Sequence, residues 1–100
     1  MILFDWNDKK AASNQRKHGI TFEDATLVFD DPFALAEQDR IEGGECRWQT
    51  IGAVEEVVIL VVAHTVEEAG RDEIIRIISA RRATRKERTR YEQSRQKDSY

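Results

Sequence analysis

Apolar residues change their spacing twice along the chain, and each change marks a different kind of element. Ile2-Leu3-Phe4 is a short apolar strand. Asn7 then offers an N-cap, Asp8 sits at the positive end of the helix dipole, and the helical stretch runs to about Lys17. Gly19 falls where a left-handed C′ residue belongs, with Arg16, Lys17 and His18 as cations in the last turn. Ala11 and Ala12 are this helix's only apolar residues, so it lies shallowly on its neighbours. Thr21, with Asp24 three residues on, opens a second helix whose Phe22, Ala25, Val28 and Phe29 recur at core-facing spacing. Asp31-Pro32 ends it.

From there the period drops to two. Strands are predicted at about 33–38, 46–51, 57–64 and 73–79, separated by Glu42-Gly43-Gly44, Glu55-Glu56 and the stretch from Glu67 to Asp72. Connections this short imply an antiparallel meander. The run from Val57 to Ala63 is apolar on both faces, which predicts a central strand covered on each side. Thr84 and Glu87 then form a T-x-x-E capping box for a last helix of about 12 residues, supported by Arg88 and Glu92 at i,i+4. Tyr91 is its sole large apolar residue, and fraying is expected from Gln96 into a tail at 97–100. The order is that of a single α+β domain, with two N-terminal helices packed on an antiparallel meander and one C-terminal helix.

Composition narrows the class. One hundred residues, 40% hydrophobic and 35% charged, suit one soluble globular unit. The longest apolar run has seven residues, against about 20 for a membrane span. No basic leader precedes an apolar segment at Met1 to Asp5, so the cytoplasm is the expected compartment. A lone Cys46 permits no internal disulfide, and without further Cys or clustered His it disfavours a metal site. Charge is divided unequally: residues 1–70 carry 6 Lys/Arg against 14 Asp/Glu, and residues 71–100 carry 10 against 5. The basic end suits a polyanion or an acidic partner, or else it is a solvated helix.

Arg76 is the most unusual single position. Period-two alternation puts it on one face with Ile74 and Ile78, where a guanidinium needs either a structural carboxylate or a bound phosphate. Arg81, Arg82, Arg85 and Arg88 follow at the corner between the last strand and helix, where Ser79 adds a hydroxyl. Glu45 and Arg47, two apart in a strand, leave one face about 7 Å from each other. They pair a general base with a fixed cation, or form a surface ion pair. Lys17-His18 is a second cationic site. His18 and His64 are the only histidines, the residue type suited to general acid–base work at neutral pH, and each is equally a helix-dipole or core histidine. Trp6 and Trp48 can stack on bases or fill the core. Tyr91 can present a phenol to nucleic acid or anchor its polar helix.

Together these stretches resemble the BrnT toxins of bacterial type II toxin–antitoxin systems, a branch of the RelE/ParE-like group. The resemblance is carried by F-D-W-N-D-K-K at 4–10, N-Q-R-K-H-G-I-T-F-E-D-A at 14–25, V-F-D-D-P at 28–32, E-C-R at 45–47, R-I-I-S-A-R at 76–81 and E-R-T-R-Y at 87–91. It implies a RelE-like fold and RNA cleavage that halts translation, with no metal or organic cofactor. It further implies a BrnA-like ribbon-helix-helix antitoxin as partner, and repression of the operon by toxin and antitoxin together on operator DNA.

Such cleavage uses the ribose 2′-OH as nucleophile. On that basis Arg76 and Arg81 are expected to converge on the phosphate, Glu45 or His18 to act as base, and Arg47 and Lys17 to position substrate. Tyr91 and Arg88 remain candidates, because this fold group can dispense with a conventional acid–base pair. The acidic remainder of the chain would confine RNA to the arginine-rich corner, where an acidic antitoxin segment would also neutralise the toxin. Two competing classes are a non-enzymatic module binding antitoxin or operator DNA, and a ParE-like poison of DNA gyrase.

Overall fold

The computed structural model describes residues 1–97. Strand β1 (Ile2–Trp6) is followed by helix α1 (Asp8–His18), a one-turn helix α2 (Phe22–Ala25) and a 3₁₀ segment (Thr26–Asp30). Four long strands come next, β2 (Leu35–Glu42), β3 (Glu45–Glu55), β4 (Val58–Ala69) and β5 (Asp72–Arg82), and helix α3 (Arg85–Lys97) closes the described chain. α3 is helical through Lys97, past the expected stop near Gln96, and the rest of that tail lies outside the described residues.

The caps form as expected. Asn7 Oδ1 accepts from the Lys9 and Lys10 amides, and Gly19 adopts the left-handed conformation at φ 71°. Thr21 Oγ1 accepts from the Asp24 amide. The second helix is not continuous: after Ala25 it tightens into the 3₁₀ segment, which ends where the Asp31 backbone turns extended before Pro32.

The sheet order is β1-β5-β4-β3-β2. β2 to β5 form the antiparallel meander, but β1 pairs parallel with β5, Ile2 opposite Glu73 through Trp6 opposite Ile77. The sheet is therefore mixed, not wholly antiparallel. Two-residue hairpin loops join β2 to β3 through Gly43 and Gly44, and β4 to β5 through Gly70 and Arg71. Gly43, Gly44 and Gly70 all have positive φ, which supplies the twist such loops need.

β4 is covered on both faces, as its apolar run requires. Leu60 and Val62 pack with Ile75, Ile77 and Ala80 beneath Ile20, Phe22, Ala25 and Val28 of the N-terminal helical layer. On the opposite face Ile59, Val61 and Ile51 pack around Tyr91 of α3. Buried Asn14 fastens α1 to the sheet: its side chain donates to the Ala80 and Ile20 carbonyls and accepts from the Ala80 amide. Gly52 lets the 3₁₀ segment come close, since a Cβ there would lie 2.8 Å from Val28 Cγ1.

One irregularity decides where the arginines point. Ser79 pairs with Ala63 and Ile77 with His64, leaving Ile78 as an extra residue in β5. Before the bulge Arg76 falls on the exposed face between buried Ile75 and Ile77 by plain alternation; past it the next buried position shifts from Ser79 to Ala80, and with it the facing of Arg81.

Candidate functional site

α1 and its cap close one side of a cleft of about 340 Å³, and the C-terminal half of β1, the start of β3 and the middle of β5 supply the remainder. Trp6, Glu45, Arg47 and Arg76 meet there, joined by Asp5, Asn7 and Lys10. The register explains the convergence. Arg76 lies opposite Asp5 of β1 on one side and Thr65 of β4 on the other, while Arg47 of β3 lies opposite Arg40 of β2.

Every ion pair in this group is loose. Arg76 Nε is 3.6 Å from Asp5 Oδ2, and both side chains are more than half exposed. Arg47 reaches Glu42 at 3.6 Å and Glu45 at 3.5 Å, and Arg40 reaches Glu42 at 3.4 Å. These contacts lie beyond good hydrogen-bond distance, so the cations are charge-balanced without being fully engaged. Arg47 is the least exposed of them, at 23%, and its Nε is buried with no hydrogen-bond partner, although it donates readily to an anionic oxygen. The cleft thus sets three cations, Lys10, Arg47 and Arg76, against two carboxylates, Asp5 and Glu45. An oxyanion entering it gains guanidinium hydrogen bonds at the cost of only weak internal pairs. Trp6 forms the apolar wall and packs edge-on to Phe22 at 6.0 Å, so it is both a core and a cleft residue.

The expected convergence of Arg76 with Arg81 does not occur. Five residues along β5 place them roughly 15 Å apart at strand rise. Arg81 is instead held by Glu87 through two bonds of 2.7 and 2.9 Å. Glu87 also accepts from the Thr84 amide, and Thr84 Oγ1 accepts from the Glu87 amide, which completes the capping box. The Arg81 hydrogen bonds hold the Glu87 carboxyl down at about 2, and the same contact raises the Arg81 guanidinium. Arg81 is thus a structural latch between β5 and α3.

Other candidates lie outside the cleft. Lys17 and His18 are exposed at the far end of α1, roughly 10 to 12 Å along the helix from Lys10. Arg88 is exposed on α3 and Ser79 is half-buried opposite Ala63. Tyr91 is fully buried and donates to Asp31 Oδ2 at 2.5 Å. Burial first, then that bond, pushes its phenol up to about 12. Asp31 also accepts from the Phe33 and Ala53 amides, and these bonds outweigh burial and keep its carboxyl below the ordinary range. Asp31 is the hub joining the 3₁₀ segment, β3 and α3.

His64 is a core histidine, its Nε2 2.7 Å from Thr50 Oγ1 and its ring edge-on to Phe29. Burial lowers its pKa, partly offset by the Thr65 carbonyl. Trp48 lines a different groove, on the helical face of the sheet. Among the described residues no group of three or more His, Cys, Asp or Glu is placed to hold a metal ion, and no helix is long and apolar enough to cross a membrane.

Sequence reasoning missed Lys10, Asp5 and Asn7. A signal for Lys10 was present: a lysine in the first helical turn stands at the unfavourable end of the dipole, so something other than helix stability places it there.

A small α+β domain with an accessible cleft lined by two arginines, a lysine and two carboxylates is what fold and site together define. The family model for the ribonuclease toxin BrnT of type II toxin–antitoxin systems matches residues 6–87. The chain belongs to that family of toxins. Its fold is similar to the crystal structure of the Brucella abortus ribonuclease toxin BrnT, with a TM-score of 0.62, 23% identity, and coverage of 85% of this chain and 99% of the other. Comparison with curated proteins gives no match.

Proposed function

We propose that this toxin is a metal-independent endoribonuclease acting in the cytoplasm, and that its working centre is the cleft between Trp6, Lys10, Glu45, Arg47 and Arg76. The single observation carrying the reading is that two arginines held only by loose ion pairs share one accessible cleft with a lysine and two carboxylates, the cations coming from three separate elements. Glu45 removes the ribose 2′ proton, and the 2′ oxygen attacks the adjacent phosphorus. The bond from phosphorus to the 5′ oxygen breaks, giving a 2′,3′-cyclic phosphate. Arg76 and Arg47 take up the charge that accumulates on the non-bridging oxygens. The departing 5′ oxygen collects a proton from Lys10. Trp6 offers the base next to the scissile bond an apolar wall.

The same reading includes a RelE-like ancestry of the sheet, translation arrest as the outcome, a BrnA-like ribbon-helix-helix antitoxin as partner, and autorepression through operator DNA. The decisive experiment incubates purified toxin with RNA in EDTA and analyses the termini. Cyclic phosphate and 5′-hydroxyl ends are expected, abolished by Arg76→Ala and Arg47→Ala in folded protein. Intact RNA with arrested replication would identify gyrase as the target instead. A shift of operator DNA by this chain alone would favour a regulatory module.

A further inference from the structure

The helical face of the sheet is only partly covered. α1, α2 and the 3₁₀ segment lie over one end, and beyond Phe29 an apolar groove of about 320 Å³ runs across β2 to β5. Its floor is Ala36, Trp48, His64, Val66 and Ile75. The apolar strip continues onto β1, whose Ile2 and Phe4 lie opposite Glu73 and Ile75, and Phe4 also touches Phe29. Ile2 is 47% exposed, Phe4 37% and Val66 39%, which makes this a contiguous patch and not a scatter of single residues. Ala34 and Ala36 keep the groove open on the β2 side.

Its rim is acidic. Glu68 and Glu73 stand directly opposite each other across β4 and β5, an arrangement that costs stability in a sheet. Neither has an ion-pair partner among the described residues, and Glu73 lines the groove itself. A cation brought from outside would relieve this repulsion. Four strands span roughly 14 Å, about two and a half helical turns.

We propose that this groove anchors the toxin's antitoxin through an amphipathic helix whose apolar side chains lie on Val66 and Phe4 and whose Lys or Arg side chains meet Glu68 and Glu73. The helix completes the helical layer on a face separate from the arginine cleft. Anchoring on this face does not depend on what the cleft cleaves. It also reverses the expected charge of the partner segment, which is basic here and not acidic.

The test measures binding of the co-encoded antitoxin, as purified full-length protein, to the full-length toxin. Val66→Asp and the pair Glu68→Lys with Glu73→Lys are each expected to weaken binding by at least about tenfold. RNA cleavage by the free toxin should be unchanged in both, and both should melt cooperatively. Binding by the wild type should also weaken with added salt, and the doubly charge-reversed toxin should lose most of that dependence. Unchanged affinity in both variants overturns the proposal. So does a dimer of the toxin alone that Val66→Asp dissolves without altering antitoxin affinity, since the groove would then hold a second copy.

Discussion

Replacing Glu87 by Gln separates the arginine held in the fold from those assigned to the cleft. Glu87 falls from 4.5 to about 2 in the folded protein, chiefly because Arg81 donates two hydrogen bonds to it. At about 1.4 kcal/mol per unit, an unscreened pair would contribute about 3 kcal/mol. The Arg81 side chain is 36% exposed, so solvent screening reduces this to about 1 to 2 kcal/mol. In a domain of this size that is a fall in Tm of about 5 to 12 °C. The sign with pH follows from the depressed carboxyl. The contribution is complete above the unfolded value of 4.5 and is lost as pH falls toward 2. Melting curves for wild type and Glu87→Gln should therefore differ at pH 7 and approach each other between pH 4 and the low end of the titration. Arg81→Ala should show a similar loss at pH 7, yet cleave RNA at a near wild-type rate per folded molecule. Cleavage abolished in Arg81→Ala with an unaltered Tm would refute the latch and return Arg81 to the chemistry.

Three further outcomes follow from contacts already described. Tyr91→Phe removes a bond to a charged acceptor and should cost about 1.5 to 3 kcal/mol, read by urea unfolding at neutral pH. Gly52→Ala puts a methyl 2.8 Å from Val28 Cγ1 and 3.1 Å from the Val28 carbonyl oxygen, and should destabilise by about 1 to 3 kcal/mol in the same assay. Asp5→Asn frees Arg76 from an exposed pair worth at most about 1 kcal/mol, so affinity for a non-cleavable 2′-deoxy oligonucleotide should rise by up to about fivefold, measured by fluorescence anisotropy.

The elements legible in advance were those marked by local chemistry. Asn7, Thr21 and the Thr84–Glu87 box each cap with a side chain within four residues, and Gly19 supplies the left-handed backbone that ends α1. The double-sided burial of β4 was equally legible, because Val57 to Ala63 has no polar face. The parallel pairing of β1 was not, because its partner lies some 70 residues away and nothing in Ile2-Leu3-Phe4 states a direction. Strand lengths were underestimated because β4 and β5 continue as an exposed hairpin through Glu67 and Glu68, where backbone pairing persists without a core to enforce alternation. The site was half legible. Glu45 and Arg47 share a face by simple spacing, but the bulge at Ile78 removes the regularity needed to relate Arg76 to Arg81. Glu87 read as a cap, and its second bond to Arg81 is a tertiary contact that no cap motif specifies.

The parallel strand also fixes when the cleft can form. Asp5 and Trp6 of β1 are seated by β5, some 70 residues further along the chain and complete only at Arg82. A nascent chain interrupted before that point holds only fragments of the cleft. The cleft therefore assembles in one long-range step, once β1 closes against β5.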